Sequence, residues 1–259
     1  MYGLVSIIMP SYNTGNFITE SIASVMAQTY TDWELIIVDD ASTDYTDEVV
    51  QQFINYCIPQ ETSSKIHYLK NDHNCGAAVS RNRALREAHG KWIAFLDSDD
   101  LWAPEKLEKQ IAFMEKNGYA FSYTRYGIMD EEGKQTGLVV GGPKHITKTG
   151  MFNYCWPGCL TVMYDREVVG DIQIADIKKN NDYAMWLKVC RKADCYLLLE
   201  NLASYRVRKG SISRHSYVAL IKWHYKLYRE AESLNPFFSL WITARNLFFG
   251  IWKKLRYVG

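Results

Sequence analysis

Residues 92–100 read Trp-Ile-Ala-Phe-Leu-Asp-Ser-Asp-Asp, an apolar run of strand length that ends abruptly in three carboxylates, Asp97, Asp99 and Asp100. Neighbouring carboxylates repel, and holding them at a strand end is unfavourable unless solvent, a proton or a cation relieves the repulsion. A divalent ion does this well. Mg²⁺ and Mn²⁺ prefer oxygen ligands and commonly take one or two protein carboxylates together with the phosphates of a substrate. The competing reading is an acidic turn that starts the next helix, because Asp and Ser are common at caps and turns.

Upstream of this stretch the chain alternates strand and helix patterns. Val5–Met9 is a β-branched run ended by Pro10 and followed by the loop residues Ser11-Tyr12-Asn13-Thr14-Gly15. Ile18, Ile22, Val25 and Met26 share one helical face, and Glu34–Val38 forms a second strand that ends in Asp39-Asp40-Ala41-Ser42-Thr43-Asp44. A helix over 45–54, a strand over 66–69 and a helix over 77–88 closed by Gly90 lead into the strand at 92–96. This rhythm predicts a parallel sheet, and ligands of such sheets bind beyond the carboxyl ends of the strands. Three polar clusters, at 11–14, 39–44 and 97–100, fall on that one edge. Their coincidence favours a binding site over three unrelated turns.

Downstream, Leu107, Ile111 and Met114 predict a helix entered at Pro104 and ended near Gly118. Residues 119–175 then hold short aromatic and β-branched runs broken by Gly and Pro, the signature of hairpins and loops, before a helix over 182–193. The chain has 259 residues with 30 Lys plus Arg against 29 Asp plus Glu, so a net charge of +1 gives no field for general nucleic-acid binding. None of the six cysteines forms a C-x-x-C pair, which points to reduced thiols in a cytosolic protein. The first strand begins without the basic start and cleavage site of an export signal, and no apolar run reaches membrane-spanning length.

The order of these pieces resembles the family 2 glycosyltransferases, inverting enzymes of the GT-A fold that transfer a sugar from a nucleoside diphosphate. The residues that carry the resemblance are Val5–Asn13, Gln28-Thr29-Tyr30, Glu34–Asp44, Gly76–Arg83 and Phe95–Asp100, with Asn181–Leu187 as a later, shorter match. The family's usual Glu-Asp stands here as Asn181-Asp182. The resemblance implies a Rossmann-like, mixed and mainly parallel sheet flanked by helices, with a C-terminal helical extension. It implies a nucleotide-sugar-binding half over 1–118, an acceptor-side half over 119–215 and an amphipathic helical segment over 216–259.

It also implies roles. Pro10 and Tyr12 would line the base pocket, and Asp40, supported by Asp39, would accept hydrogen bonds from uracil or ribose. Arg81 would lie near the nucleotide, although a solvated helix-face arginine is the plain alternative. Asp97-Ser98-Asp99 resembles the D-x-D signature of this fold. Asp99 would bind Mn²⁺ or Mg²⁺ with the diphosphate, while Asp97 and Ser98 would serve the nucleotide side, Asp97 also reaching the metal or its waters. Asp182 would be the base that takes the acceptor proton, with a helix N-cap as its alternative role. The segment 205–215 resembles a loop closing over the donor, with Arg208, Arg214 and His215 as diphosphate contacts.

The partners implied are a UDP-sugar donor and a glycan or lipid-linked acceptor. A nucleotidyltransferase is the rival enzyme, but it would want a glycine-rich loop where this chain has Pro10-Ser11-Tyr12-Asn13. A non-catalytic sugar-nucleotide-binding protein is the other rival, against which the retained Asp99 and Asp182 speak. Residues 233–259 carry four cations and no carboxylate. On a helical projection Phe237, Trp241, Ala244, Phe248, Trp252 and Leu255 share a face opposite a polar stripe of Ser239, Thr243, Asn246, Gly250 and Lys253. Such a segment either lies in a membrane interface, as a peripheral protein at the inner face of the cell membrane would use it, or packs on the catalytic domain or a second copy in a homodimer.

Overall fold

Alternation along the strands divides the core in two. Val5, Ile7, Met9, Leu35, Ile37, Ala94 and Leu96 pack on one side of the sheet, and Ile8, Ile36, Val38, Ile93 and Phe95 on the other. Strands covered on both faces read as continuous apolar runs, which is why these three were visible in the sequence. The computed structural model describes residues 2–208 and 217–259.

In chain order the first half holds β1 (Val5–Ser11), α1 (Ile18–Met26), β2 (Trp33–Asp39), α2 (Thr46–Gln52), α3 (Gln60–Ser63), β3 (Ile66–Lys70), α4 (Ala77–Glu87), β4 (Trp92–Phe95), β5 (Leu101–Trp102) and α5 (Lys106–Asn117). The second holds β6 (Phe121–Met129), β7 (Gln135–Val140), β8 (His145–Ile146), α6 (Lys148–Asn153), β9 (Met163–Asp165), α7 (Arg166–Val169), α8 (Asn181–Val189), β10 (Cys195–Arg206), α9 (Tyr217–Lys226) and α10 (Pro236–Tyr257).

The sheet runs β3-β2-β1-β4-β9-β6-β10-β5, with β7 beside β6 and β8 beside β10. β3, β2, β1 and β4 are mutually parallel, while β9 is antiparallel to both β4 and β6 and so reverses direction at the middle of the sheet. Ser11 and Asp39 are register partners at the ends of β1 and β2, which aligns the first two polar clusters side by side. This is the mixed, mainly parallel α/β arrangement the sequence predicts.

Three local expectations change. The helix over 45–54 ends at Gln52 and continues as a π-helical turn over Phe53–Cys57. Tyr205 and Arg206, read as the start of a mobile loop, are the end of the twelve-residue strand β10, and Arg206 is buried. Asp182 is not a helix cap: Asn180 holds that position in the left-handed conformation, and Asp182 sits in the first turn of α8.

Candidate active site

The carboxyl ends of β1, β2 and β4 are tied together by hydroxyls before any ligand is considered. Ser11 Oγ and Thr14 Oγ1 lie 2.8 Å apart, and Thr14 Oγ1 donates to Ser98 Oγ at 3.0 Å. Asn13 Oδ1 accepts from Thr43 N at 2.8 Å, while Thr14 N donates to Thr46 Oγ1 at 2.9 Å. Asn13 and Ala41, immediately past β1 and β2, both adopt positive φ, at 51° and 57°. Non-glycine residues held there carry strain that persists only where the surroundings over-determine it, as they do in this lattice of short bonds.

Asp39 is fully buried and accepts from Ser42 N at 3.1 Å and from Ser42 Oγ. Burial raises its pKa against those two bonds. Asp40 braces the loop that follows β3, accepting from Asn71 Nδ2 at 2.7 Å, Cys75 N at 2.9 Å and Gly76 N at 2.7 Å. Gly76 has a φ of 88°, a conformation that turns its N–H toward Asp40 as the chain enters α4 and that a side chain would disfavour. Three of the four lone-pair positions of Asp40 are therefore taken by the protein. Asn71, Asp72, Asn74 and Gly76 mark residues 71–76 as a loop, but nothing local in the sequence ties that loop to Asp40, more than thirty positions earlier.

The third cluster divides its carboxylates among three environments. Asp100 is buried and accepts from Arg206 N at 2.8 Å, which makes it the anchor of β10. Arg206 in turn donates to the Asp99 and Glu131 carbonyls, each at 2.8 Å, and to Glu20 Oε2 at 2.6 Å. Asp97 Oδ1 lies 2.5 Å from an Arg81 terminal nitrogen. Asp99 Oδ2 lies 2.7 Å from Arg208 Nε, an ion pair by proximity rather than an aligned hydrogen bond. Burial raises the pKa of Asp99, Arg208 opposes the rise, and the nearby charge of Asp97 adds to it.

Arg81 joins this edge to α8. Its second terminal nitrogen donates to Asn181 Oδ1 at 2.8 Å, and its Nε is buried without a partner. The solvated-arginine alternative is thus excluded: Arg81 is buried and clamps residues 97 and 181 from α4. Asp182 follows directly. Burial raises its pKa, Arg81 pulls it back, and Asp97 pushes it up again, so the three charges act on one another. α8 is seated by Trp186, whose ring meets Phe95 of β4 edge-on at 5.2 Å and 78°, a contact worth about 0.5–1.5 kcal/mol beyond its buried area.

Pro10 is buried at the end of β1, and Tyr12 is exposed beyond it. Arg208 reaches across to the β1 loop, 3.5 Å from the Asn13 carbonyl and over the Phe17 ring at 5.6 Å. Arg214 and His215 lie outside the described residues. Among the described residues no group of three His, Cys, Asp or Glu side chains forms a ready-made metal cage. Asp97 and Asp99 each keep a second oxygen outside the arginine pairs described above, so this donor set fits a hard divalent ion that takes most of its oxygens from a substrate diphosphate.

Comparison with known proteins bears on the family and the fold. The sequence model of Glycosyl transferase family 2 matches residues 6–164. TuaG of Bacillus subtilis, a glycosyltransferase whose name provisionally places it in teichuronic acid biosynthesis, is 41% identical over 253 residues, 97% of this chain and 98% of TuaG. The Escherichia coli UDP-Glc:alpha-D-GlcNAc-diphosphoundecaprenol beta-1,3-glucosyltransferase WfgD is 39% identical, covering 84% of this chain and 82% of WfgD. Among solved structures, Staphylococcus aureus TarS in complex with UDP-GlcNAc superposes with a TM-score of 0.71 at 23% identity, over 94% of this chain and 71% of that one. The mannosyltransferase PcManGT of Pyrobaculum calidifontis, in complex with GDP-Man and Mn²⁺, gives 0.66 at 17%, over 93% and 72%. The structural likenesses establish the fold, which is GT-A.

Proposed function

The chain belongs to glycosyl transferase family 2, and on that premise we propose an inverting, divalent-metal-assisted transfer of a sugar from a UDP-sugar to a hydroxyl of a glycan or lipid-linked acceptor in surface polysaccharide synthesis. The membership leaves no place for the nucleotidyltransferase reading. One observation carries the mechanism: Arg81 holds Asp97, at the end of β4, and Asn181, beside Asp182, on a single guanidinium. Asp97 and Asn181, 84 positions apart in the chain, are thereby held by one side chain.

In this reading Pro10 and the exposed Tyr12 border the base, and Asp40, braced against residues 71–76, keeps one lone-pair position for an imide or ribose donor. Asp39 and Ser98 keep the strand-end loops in register. A divalent ion held by Asp99, with Asp97 beside it, would supply positive charge to the departing diphosphate. Arg208 adds a second cation from the end of β10, leaving Asp99 for the diphosphate as the donor enters.

Asp182 takes the proton of the acceptor hydroxyl. The oxygen bonds to the anomeric carbon from the face opposite the diphosphate, whose bond breaks with its electron pair, and the configuration inverts. Burial makes Asp182 a stronger base than an ordinary aspartate, and the charge of Arg81 opposes that rise. The acceptor class is supported by the WfgD name and by the teichuronic acid assignment of TuaG. An enzyme with such an acceptor works in the cytoplasm at the inner face of the cell membrane; among the described residues no helix is long and apolar enough to cross it.

The test is transfer from a panel of UDP-sugars, with and without Mn²⁺, to a polyprenyl diphosphate-linked sugar. Product of inverted anomeric configuration is expected, and Asp182→Asn should bind donor normally yet form none. Normal turnover by that variant removes Asp182 as the base.

A further inference from the structure

α10 is docked inside out. A helix on a protein surface ordinarily buries its apolar stripe and turns its polar side to water. Here the buried positions are Ser239, Ile242, Thr243, Asn246 and Lys253, while Phe237, Phe238, Leu240, Trp241, Phe248, Ile251, Trp252 and Leu255 are exposed, Phe237 at 87% and Leu255 at 80%. The inward stripe is fully engaged. Asn246 Nδ2 donates to the hydroxyls of Tyr183 at 3.2 Å and Tyr228 at 3.3 Å, and Lys253 Nζ donates to the Trp156 carbonyl at 2.7 Å. Gly250 lets the Tyr154 ring approach so closely that a Cβ would lie 3.0 Å from it. The polar side is thus the side that fits the protein, and the aromatic side is left facing outward.

An exposed apolar face of this extent marks an interaction surface. Charge decides which kind. At 3.6 residues per turn, Arg245 and Arg256 border one edge of the face and Lys254 the other, and residues 233–259 contain no carboxylate. Arg245 also lies over the Trp241 ring at 4.7 Å. A second copy docked face to face would bring these cations against their own kind, since a two-fold interface sets each patch against itself. An anionic bilayer instead accepts aromatic and aliphatic side chains at the headgroup boundary and cations at the phosphates.

We propose that α10 is a monotopic membrane surface: it lies in the plane of an anionic bilayer with Phe237, Trp241, Phe248 and Leu255 inserted and Arg245, Lys254 and Arg256 at the lipid phosphates. The lipid-linked acceptor proposed above gives this surface its use, but the surface itself rests on the helix alone. Asn246 bonds the hydroxyl of Tyr183, the residue after Asp182, so the membrane face and the base helix α8 belong to one hydrogen-bonded unit. A crevice carried in this way stays close to the bilayer from which a lipid-linked acceptor projects.

The test is sedimentation of the full chain with phosphatidylcholine vesicles that contain or lack phosphatidylglycerol. The chain should pellet with the mixed vesicles and far less with the neutral ones. Lys254→Gln with Arg256→Gln should weaken that partition about thirtyfold, each charge near an anionic surface contributing roughly fivefold. Trp241→Ser with Phe248→Ser and Leu255→Ser should abolish it while circular dichroism stays native. The proposal is overturned if the chain remains in the supernatant with both vesicles, if the triple variant still pellets, or if light scattering finds a dimer that the triple variant dissociates and vesicles do not bind. Binding is read without turnover. Vesicle association without any sugar transfer would therefore sink the acceptor reading and leave the surface standing.

Discussion

The guanidinium of Arg81 makes two separable contributions, and a pair of substitutions can part them. One terminal nitrogen meets Asp97 and the other Asn181, from a side chain buried between α4 and α8. Arg81→Lys keeps the charge but has a single ammonium on a shorter reach, so one of the two bonds is lost. A hydrogen bond to a charged group contributes about 1.5–3 kcal/mol, which as a loss of transition-state geometry is about a ten- to hundredfold fall in kcat. Because the charge beside Asp182 remains, the acid limb of the pH–rate profile should stay in place. Arg81→Gln removes that charge as well. Burial already raises the Asp182 pKa and Arg81 opposes it, so without the arginine the pKa rises further and the acid limb moves to higher pH. The assay is steady-state transfer across pH for both variants, with donor binding measured separately. Full activity in the lysine variant, or an unmoved acid limb in the glutamine variant, refutes the clamp.

Asp99→Asn should leave the fold intact and cut divalent-dependent UDP affinity tenfold or more by calorimetry; unchanged affinity removes Asp99 as the ligand. Tyr183→Phe leaves the buried Met151 carbonyl without its hydroxyl donor and removes one of the two acceptors of Asn246 Nδ2, and denaturant titration should show about 1–3 kcal/mol of lost stability, with no loss arguing against a working link between α8 and α10. Lys253 is buried, and burial lowers its pKa to about 8 from 10.5, so between those values the unfolded chain binds more protons and stability rises with pH. The stability difference between the wild type and Lys253→Met should therefore shift in favour of the wild type by about 3 kcal/mol across that window, and a flat difference curve would contradict the burial.

How much of this was legible follows from the range of each interaction. β1, β2 and β4 were visible because strands covered on both faces need apolar residues without a break, and α1 and α5 because one apolar stripe suffices to seat a helix. β5 left no signal: two residues, Leu101 and Trp102, pair with Ser204 and Ala203 about a hundred positions later, and a partner that distant imposes no local pattern. The polar clusters at 11–14, 39–44 and 97–100 could be placed on one edge from strand order alone. The division of labour inside the last cluster could not, because Asp97, Asp99 and Asp100 are told apart by Arg81, Arg208 and the Arg206 N–H, three groups from elsewhere in the chain. Asn181 is the clearest case. As a departure from the family's Glu-Asp its role was open in the sequence, and the Arg81 bond gives it one as a neutral acceptor that leaves the arginine's charge to Asp97 and Asp182.

The tail shows the limit of pattern reading from the other side. Its two stripes were assigned correctly, yet periodicity says only that a helix has two unlike faces, never which one meets the protein. That choice is made by the socket. Tyr183, Tyr228 and the Trp156 carbonyl present polar groups at the floor against which α10 lies; an apolar stripe set there would leave the Trp156 carbonyl buried without its Lys253 donor, at roughly 1–3 kcal/mol, and would forgo the Asn246 bonds to two hydroxyls whose other partners are each other and the Met151 and Phe152 carbonyls. The polar stripe satisfies them, and the aromatic stripe is turned outward as a result. Because Tyr183 is both part of that socket and the neighbour of Asp182, the requirement that fixes the orientation of α10 is the same one that seats α8.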